Sequence, residues 1–466
     1  MSNVSTRGAF ATRLGFVLAA AGSAVGLGNI WKFPYITGVY GGGAFVLVYL
    51  LCIAVVGLPL MYAELIIGRR GGKDILSSLE SLTKQSGAVG MLASWLIGGM
   101  AVASGFLILS FYSVVAGWAI YYFCAYAGLV DLQGGEAMFN SLIEVGSGKS
   151  TPWHTLFMVM ALSVVAIGVQ KGIEAACKIL MPILAGILVI LLGYVAVTGG
   201  LGKSLSFLFA PDFSKLSGEA ILEALGHAFF TLSLGMGAMV TYGSYLKDEV
   251  AVVRDGVIVA ILDTAIALVA GMVIFAVVFS HGQEAAAGPG LVFVSLPALF
   301  ADMPGGQLFG LAFFALLVFA AWSSAISLLE VVVAFLVDKL GLPRKGAAVG
   351  AGVAIWGLGL LSARDIAWLD KFDQLTTNYM LPLGGLGIAL AAGWLVTKAD
   401  REAGFLAFGE LGRKLAVGWT FVIRFVTPVL VALVILGKIG VISFEEEAPP
   451  PAESGEEAPA PEGAGG

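Results

Sequence analysis

Six side chains that carry oxygen stand inside otherwise apolar stretches of the sequence. They are Asn29, Thr231, Ser233, Asp263, Ser323 and Ser324. Carboxylate, amide and hydroxyl oxygens are the ligands that hard cations prefer in proteins. A carboxylate in an apolar stretch is costly and marks a functional site by default, and Asp263 is the clearest example. The residue types therefore predict a site for an alkali cation.

Two glycine-rich clusters contain three of these side chains, Asn29, Thr231 and Ser233. One runs from Ala21 to Asn29, and the other runs from Thr231 to Ala238. Each glycine in a helix interior costs up to ~1 kcal/mol, so each cluster predicts a broken helix. Corresponding breaks in two halves of a chain free carbonyl oxygens for cations and direct half-helix N-termini at a carboxylate. Close packing of helices at small residues explains the spacing equally well, but the oxygen-bearing neighbours favour broken helices.

The elements that must position these residues are apolar helices. Of the 466 residues, 59% are hydrophobic and only 12% are charged, which excludes a soluble enzyme, a disordered protein and a nucleic-acid binder. A membrane-crossing helix needs about 20 apolar residues. Eleven stretches qualify: 14–38, 43–68, 89–126, 154–171, 176–198, 220–246, 253–280, 307–337, 346–362, 367–397 and 415–438. The sequence predicts an all-α integral membrane protein with eleven transmembrane helices, numbered here in chain order.

Charge is distributed unevenly along the chain. Of the 25 basic residues, 17 fall on the cytoplasmic side if the N-terminus is cytoplasmic, as the positive-inside rule requires. Eleven crossings then place the C-terminus outside. The net charge of −6 comes from the tail, because residues 445–466 hold seven Glu and no Lys or Arg. Segment 441–466 is also rich in Pro, Gly and Ala, so it is predicted to be disordered.

The glycine clusters carry specific family motifs. The run Gly22-Ser23-Ala24-Val25-Gly26-Leu27-Gly28-Asn29-Ile30-Trp31-Lys32-Phe33-Pro34-Tyr35 resembles helix 1 of the neurotransmitter:sodium symporter family. Further matches are Gly41 to Phe45, Gly57 to Leu60, Glu64 and Phe229 to Ala238, and the resemblance covers residues 7 to about 440. Eleven helices and Gly235-Met236-Gly237 are similar to bacterial members that carry several hydrophobic amino acids. Bacterial leucine transporters of the family have twelve helices and Phe in place of Met236.

The resemblance implies a five-plus-five inverted repeat, with helices 1 and 6 broken, that works by alternating access. Residues 1–13 would be the cytoplasmic N-terminus, 14–198 the first repeat (helices 1–5) and 199–397 the second repeat (helices 6–10). Residues 398–440 would form a cytoplasmic loop and helix 11, before the acidic tail 441–466. The resemblance also implies a multi-pass protein of the prokaryotic plasma (inner) membrane, in which a monomer is sufficient for transport.

Two sodium sites are implied by the matching motif positions. The first would use the Ala24 carbonyl, Asn29, Thr231 and Asp263. The second would use the carbonyls of Gly22, Val25 and Ala320 and the hydroxyls of Ser323 and Ser324. The family position of Asp263 is often Asn, and chloride-dependent members use chloride to supply negative charge there. Because Asp263 supplies that charge itself, no chloride requirement is expected.

A substrate pocket is implied in the same way. Its residues would be Ala24, Gly26, Leu27, Gly28, Ile108, Tyr112, Phe230, Thr231, Ser233, Met236, Ser324 and Leu328. Monoamine transporters of the family carry Asp at the position of Gly26, so glycine favours an amino acid with its own carboxylate. The pocket holds no charged side chain besides Asp263, and burying a charged substrate side chain is expensive. Hydrophobic L-amino acids such as Trp, Phe, Leu and Ile are therefore expected, and flexible Met236 would adapt to their shapes.

Gates and a hinge complete the family pattern. Lys32 and Asp373 match an outer ion pair, and Arg7 and Asp338 match a cytoplasmic one. Gly172 and Pro182 bracket the start of helix 5, where relatives unwind to release the second sodium. Ordinary interfacial charges and helix-start punctuation explain the same residues. Glu330 and His227 are interpreted as structural.

Two other functions remain open at this stage. A proton-coupled amino-acid transporter of the same fold would titrate Asp263 or Glu64. A channel or amino-acid sensor is a weaker alternative, because the chain has two inverted halves rather than a pore between subunits. An enzyme is not expected, because the sequence has no metal-ligand spacing, nucleophile elbow or phosphate loop. No nucleic-acid partner is expected either.

Overall fold

The computed structural model describes residues 8–246, 251–283, 285 and 288–441. Within them, nine unbroken helices are long and apolar enough to cross a membrane. They are Gly43–Gly71 (helix 2), Lys84–Tyr126 (helix 3), Ser150–Ile167 (helix 4), Val169–Thr198 (helix 5), Val252–Ser280 (helix 7), Gly306–Leu340 (helix 8), Arg344–Arg364 (helix 9), Ile366–Leu395 (helix 10) and Leu406–Lys438 (helix 11). The all-helical membrane fold is confirmed.

Helices 1 and 6 are interrupted at the two glycine clusters. Helix 1 consists of Arg13–Ala24 (helix 1a) and Gly28–Val39 (helix 1b), bent by 48°, and this pair forms a tenth span. Helix 6 consists of Gly218–Thr231 (helix 6a) and Ala238–Gly243 (helix 6b). Neither half of helix 6 is long enough to span alone, so the count of eleven membrane crossings stays a prediction.

The break in helix 6 depends on left-handed backbone. Gly235 and Gly237 have φ of 81° and 77°, which glycine adopts without steric cost. Among the residues that the structure describes, Ser233 is the one non-glycine with positive φ, at 54°. That conformation costs of order 1–3 kcal/mol and persists only where neighbours hold it. Here the Ser233 hydroxyl donates to the Ser23 carbonyl at 2.8 Å, which ties the break in helix 6 to the end of helix 1a.

Helices 2 and 10 also contact the break in helix 6. The Gly235 N–H donates to Glu64 Oε1 of helix 2 at 2.7 Å, so a buried carboxylate satisfies backbone that the break leaves unpaired. Helix 10 crosses so closely that a methyl group on Gly384 would overlap the Gly235 carbonyl oxygen. The small residues therefore have both of the roles considered from the sequence: they break helix 6, and they allow helix 10 to pack closely against it.

Two spans begin earlier than their hydropathy indicates. Helix 5 begins at Val169 rather than 176, and helix 11 begins at Leu406 rather than 415. Charged residues at these ends, such as Lys171 and the exposed Arg413 and Lys414, lower the local hydropathy without interrupting the helical backbone. A short helix, Lys398–Ala403, occupies part of the predicted loop before helix 11.

The Gly384→Ala substitution tests the crossing of helices 6 and 10. We expect it to lower the thermal unfolding temperature of the detergent-solubilised protein, because overpacking against backbone typically costs about 1–3 kcal/mol. Gly186→Ala in helix 5 is the matched control, since a methyl group there meets no atom within 4 Å and adds helix propensity. Equal unfolding temperatures for the two variants would contradict this packing.

Candidate functional site at the two helix breaks

A fully buried polar cluster joins helices 1, 6 and 7. The Asn29 amide nitrogen donates to Asp263 Oδ1 at 2.7 Å and to Thr231 Oγ1 at 3.1 Å. The Thr231 hydroxyl lies 3.1 and 3.0 Å from the two Asp263 oxygens. Among the described residues, no Lys or Arg forms an ion pair with Asp263. A buried carboxylate with neutral neighbours, one amide and one hydroxyl, is a donor set that suits a hard alkali cation.

The orientation of Asn29 gives this cluster a second property. Its oxygen Oδ1 accepts the Gly26 N–H at 2.9 Å, while its nitrogen faces Asp263. An ion held by both side chains would need the amide oxygen instead, so ion binding would turn the amide and release the Gly26 N–H. Ala24, whose carbonyl is the other predicted ligand of this site, lines the adjacent cavity.

A second cluster joins helix 8 to the carbonyls freed at the end of helix 1a. Ser324 Oγ lies 2.8 Å from the Ser23 oxygen, 3.2 Å from the Val25 oxygen and 3.5 Å from the Gly22 oxygen. Ser323 lies beside Gly22, but its hydroxyl donates within helix 8 to the Ala320 carbonyl at 3.0 Å. The structure therefore brings Gly22, Val25 and Ser324 into direct contact, with Ser323 and Ala320 adjacent. The Ser23 carbonyl is an addition that the sequence did not single out.

A small cavity lies beside the two clusters. It is lined by Ser23, Ala24, Gly26, Leu27, Gly28, Ile108, Tyr112, Phe230, Ser233, Met236, Ser324 and Leu328. Of the predicted pocket residues, Thr231 alone is not in this lining, because its hydroxyl faces Asp263. The cavity measures about 20 Å³, room for about one water molecule. The lining side chains therefore leave no room here for a molecule the size of an amino acid.

Gly26 is the tightest point of this cavity. A methyl group there would lie 2.5 Å from Ser324 Oγ and 2.7 Å from the Tyr112 hydroxyl oxygen. That hydroxyl accepts the Leu27 N–H at 3.1 Å. The main chain of Gly26 and Leu27 and a phenol therefore meet at this part of the cavity lining, and N–H groups and phenols are groups that can bind a carboxylate.

The cavity is separated from a wider vestibule by the rings of Phe230 and Tyr112, which line both. The vestibule measures about 310 Å³ and is lined on one side by Lys32 and Asp373. Lys32 Nζ lies 3.9 Å from Asp373 Oδ2 and 5.1 Å from the centre of the Phe230 ring. The two members of the predicted outer pair therefore do face each other across the mouth of the cavity.

Comparison with known proteins decides the family. The sequence profile of the sodium:neurotransmitter symporter family matches residues 7–129 and 136–448. The chain belongs to the sodium:neurotransmitter symporter family. The symporter is 36% identical over 451 residues to the sodium-dependent transporter YhdH of Bacillus subtilis, covering 93% of this chain and 98% of that protein. A sodium-dependent transporter of Haemophilus influenzae is 31% identical, covering 94% of this chain and 99% of that protein.

A solved structure extends this similarity to the fold. The crystal structure of MhsT in complex with L-phenylalanine has a TM-score of 0.83 and 43% identity, covering 93% of this chain and 100% of that one. MhsT is the bacterial multi-hydrophobic amino-acid transporter. Family membership and these relatives establish the symporter as a sodium-dependent membrane transporter.

On the opposite side of the cavity, the chain preceding helix 1a is held by charged residues. Arg13 forms a two-pronged ion pair with buried Asp255, with its Nη2 at 2.5 Å and its Nε at 2.8 Å from Oδ1. Glu174 accepts the Ala11 N–H at 2.7 Å. Phe10 packs edge-on against Tyr242 of helix 6b. Among the described residues, these contacts seal this side of the protein, whereas the other side holds the vestibule of about 310 Å³.

Glu330 has a larger part in this seal than the sequence indicated. Its carboxylate is fully buried, forms an ion pair with Arg344 of helix 9 at 2.5 Å and accepts a short hydrogen bond from Tyr245. It therefore links helices 8 and 9 to the segment after helix 6b. Arg344 stands at the start of a predicted span, where a cytoplasmic charge needs no special partner, so no sequence pattern indicates this pair.

The structure does not test the predicted cytoplasmic gate or the predicted hinge in helix 5. Arg7 lies outside the described residues, so the Arg7–Asp338 pair stays a prediction, and Asp338 accepts the Asp74 N–H at 2.6 Å. Gly172 lies in a wide π-type turn, Val169–Glu174, where a methyl group would overlap the Val164 carbonyl. Pro182 lies inside the helical segment Ala175–Thr198, so helix 5 is wound here and its hinge role is untested.

The Ser324→Ala substitution tests the second cluster. We expect the sodium concentration for half-maximal thermal stabilisation to rise about tenfold, because a lost oxygen ligand costs a hydrogen-bond-like contact of ~1–2 kcal/mol. Ser113→Ala is the control: Ser113 is equally buried, but its hydroxyl donates only within helix 3, to Leu109 and Ser110. If both variants respond to sodium as the unmodified protein does, Ser324 is not a ligand.

Proposed function

We propose that this protein is a sodium-coupled symporter that takes up hydrophobic L-amino acids by alternating access. The observation that carries the proposal is the contact between the Asp263 cluster and the cavity through Asn29 and Gly26. One side of this contact suits a cation, and the other offers N–H groups to a carboxylate. The MhsT structure, which contains L-phenylalanine, supports the same substrate class.

Coupling follows from the orientation of Asn29. Sodium at Asp263 would turn the Asn29 amide, so that the Gly26 N–H loses its partner and becomes free to bind the substrate carboxylate. The carboxylate would also approach the ion, so each ligand raises the affinity for the other, as thermodynamic linkage requires. The second ion, at Ser324 and the Gly22 and Val25 carbonyls, would fix helix 8 against the end of helix 1a. Two sodium ions per cycle are therefore proposed.

Substrate selection follows from the cavity wall. Gly26 leaves no room for a side chain that could replace the substrate carboxylate. The opposite wall, formed by Ile108, Phe230, Met236 and Leu328, is apolar, so a charged substrate side chain would be buried without a partner. The cavity must expand from about 20 Å³ to hold an amino acid. Phe230 borders the vestibule and Met236 is flexible, so these two side chains would make the room.

Alternating access would use the two sides of the cavity in turn. The open vestibule with Lys32 and Asp373 is proposed as the external entrance, and the seal around Phe10 and Glu330 as the cytoplasmic gate. Unwinding of helix 5 between Gly172 and Pro182 would release the second ion. This orientation has a cytoplasmic N-terminus and an external C-terminus in a prokaryotic plasma membrane, with the monomer as the working unit. The proposed activity is transport and involves no enzymatic step.

Uptake of labelled Phe, Trp and Leu into proteoliposomes tests the proposal. We expect an inward sodium gradient to raise uptake at least ~tenfold over a potassium control, because coupling free energies of 1–3 kcal/mol change affinity 5- to 150-fold. Gly26→Ala should abolish uptake, whereas Gly186→Ala should retain it. Equal uptake with and without sodium would contradict the proposal.

A pH gradient is the further arm of this experiment. Within the described part of the chain, Glu64 Oε2 is buried with no hydrogen-bond partner, which is a feature that a proton-coupled transporter would share. Sodium-independent uptake driven by an inward proton gradient would favour that alternative over sodium coupling.

Chloride dependence tests the role of Asp263. We expect uptake at constant sodium to be unchanged when gluconate replaces chloride, because the carboxylate already supplies negative charge beside the first ion. Asp263→Asn should raise the half-saturating sodium concentration by ~tenfold or more, since contacts to a charged group are worth about 1.5–3 kcal/mol. Asp302→Asn, the same change of charge at an exposed position, serves as the control. Chloride-stimulated uptake by the unmodified protein would count against this role.

A further inference from the structure

Two arginines meet at the end of helix 10, far from the transport site. Arg401 Nη1 donates to the carbonyl oxygens of Gly393 at 3.0 Å and Val396 at 2.6 Å. Arg424 of helix 11 donates through Nε to the same Gly393 oxygen at 2.6 Å. Two full positive charges therefore converge on one carbonyl oxygen.

The backbone is shaped to allow this meeting. Helix 10 ends in a wide π-type turn, Ala391–Leu395, and helix 11 has another at Val422–Val426. Such turns are often found at functional sites. A methyl group on Gly393 would lie 2.9 Å from Arg424 Cγ, so glycine is what lets Arg424 approach.

The positive charge of the pair is only partly balanced by the described residues around it, among which the charge of Glu402 acts on Arg401. The neighbouring acids are engaged elsewhere: Asp400 with Arg70 at 2.7 Å and Glu402 with Lys398 at 3.6 Å. In the part of the chain that the structure describes, neither Arg401 nor Arg424 forms an ion pair. The carbonyl end of helix 10 offers only about half a negative charge, against two cations.

The surroundings of Arg401 also fail to compensate its positive charge fully. Its side chain is buried, with 7% of the residue exposed, and its Nε has no hydrogen-bond partner among the described residues. Burial, and next the charge of Arg424, lower the pKa of Arg401. Capping of helix 10 explains the contacts with Gly393 and Val396, but one arginine would be enough for it.

The surroundings indicate what supplies the missing negative charge. The Arg424 guanidinium lies 4.9 Å from the centre of the Trp394 ring, and Trp394 packs edge-on against Phe425. These aromatic side chains are 54% and 48% exposed, and Phe421, beside Phe425, is 60% exposed. Exposed aromatic rings on a membrane helix beside an arginine are typical of the interface where lipid headgroups meet acyl chains.

We propose that Arg424, with Arg401 behind it, holds the phosphate of an anionic phospholipid whose acyl chains lie over Trp394 and Phe425. Arg424 donates only its Nε within the described protein, so its two terminal nitrogens are available for a two-pronged contact with phosphate oxygens. Arg401 adds positive potential from the protein side. Basic sites between membrane helices are a known mode of recognising such headgroups.

Native mass spectrometry of protein released from vesicles tests the site. With equal amounts of phosphatidylglycerol and phosphatidylcholine present, we expect the unmodified protein to retain phosphatidylglycerol preferentially. Arg424→Gln should reduce that preference by about tenfold, since a charge-assisted contact is lost while an N–H remains for Gly393. Arg413→Gln, an equal change of charge at an exposed position of the same helix, should retain it.

Three outcomes would overturn the proposal. These are equal retention of the two lipids by the unmodified protein, equal loss of preference in Arg424→Gln and Arg413→Gln, and stabilisation by soluble glycerol phosphate that equals stabilisation by phosphatidylglycerol vesicles. If Arg424→Gln does not elute as folded protein, Arg424→Lys takes its place. The lysine keeps the charge but loses the two-pronged contact, so an intermediate preference is expected, and an unchanged preference would exclude that contact.

Discussion

Backbone polar groups inside a membrane must find partners within the protein, and two broken helices leave several without their own. The structure meets this requirement with side chains from other helices. Glu64 accepts a hydrogen bond from the Gly235 N–H. The hydroxyls of Ser233 and Ser324 both donate to the Ser23 carbonyl oxygen at the end of helix 1a. The same groups that stabilise the breaks therefore create the polar site. A fold without these partners would keep both helices wound and would have no carbonyl oxygens to offer an ion.

The two sides of the cavity are closed by different physical means. Towards the vestibule, two aromatic rings and a 3.9 Å ion pair stand between the cavity and an open space. On the other side, buried carboxylates bind arginines at 2.5 Å, and Phe10 fills the space between aromatic side chains. Buried ion pairs are costly to disrupt one partner at a time, whereas an aromatic side chain can turn with little loss of contact. The sealed side is therefore the more stable of the two in this conformation.

The features that could be predicted from the sequence are those that depend on residue type alone. Glycine clusters located both breaks, because few other residues tolerate positive φ, and an isolated Asp in an apolar helix located the polar cluster of Asn29, Thr231 and Asp263. The Ser23 carbonyl was missed because every residue has a carbonyl and only the local bend decides which of them turn inward. The Glu330–Arg344 pair and the meeting of Arg401 with Arg424 depend on how helices cross, which one-dimensional patterns do not record. Helix ends were misjudged where charged side chains stand on continuous helical backbone.

Because Gly26 leaves no room for a side chain, the main chain there and the apolar wall of the cavity contact different parts of a ligand. Anything that binds there must present its charged group to the main chain, whose N–H groups are the same whatever residues surround them. The opposite wall consists of Ile108, Met236 and Leu328, whose shapes can change by substitution without touching the ion clusters. Related chains can therefore differ in the substrate side chains that they accept. The main chain at Gly26, which would contact the carboxylate that every α-amino acid has, stays the same.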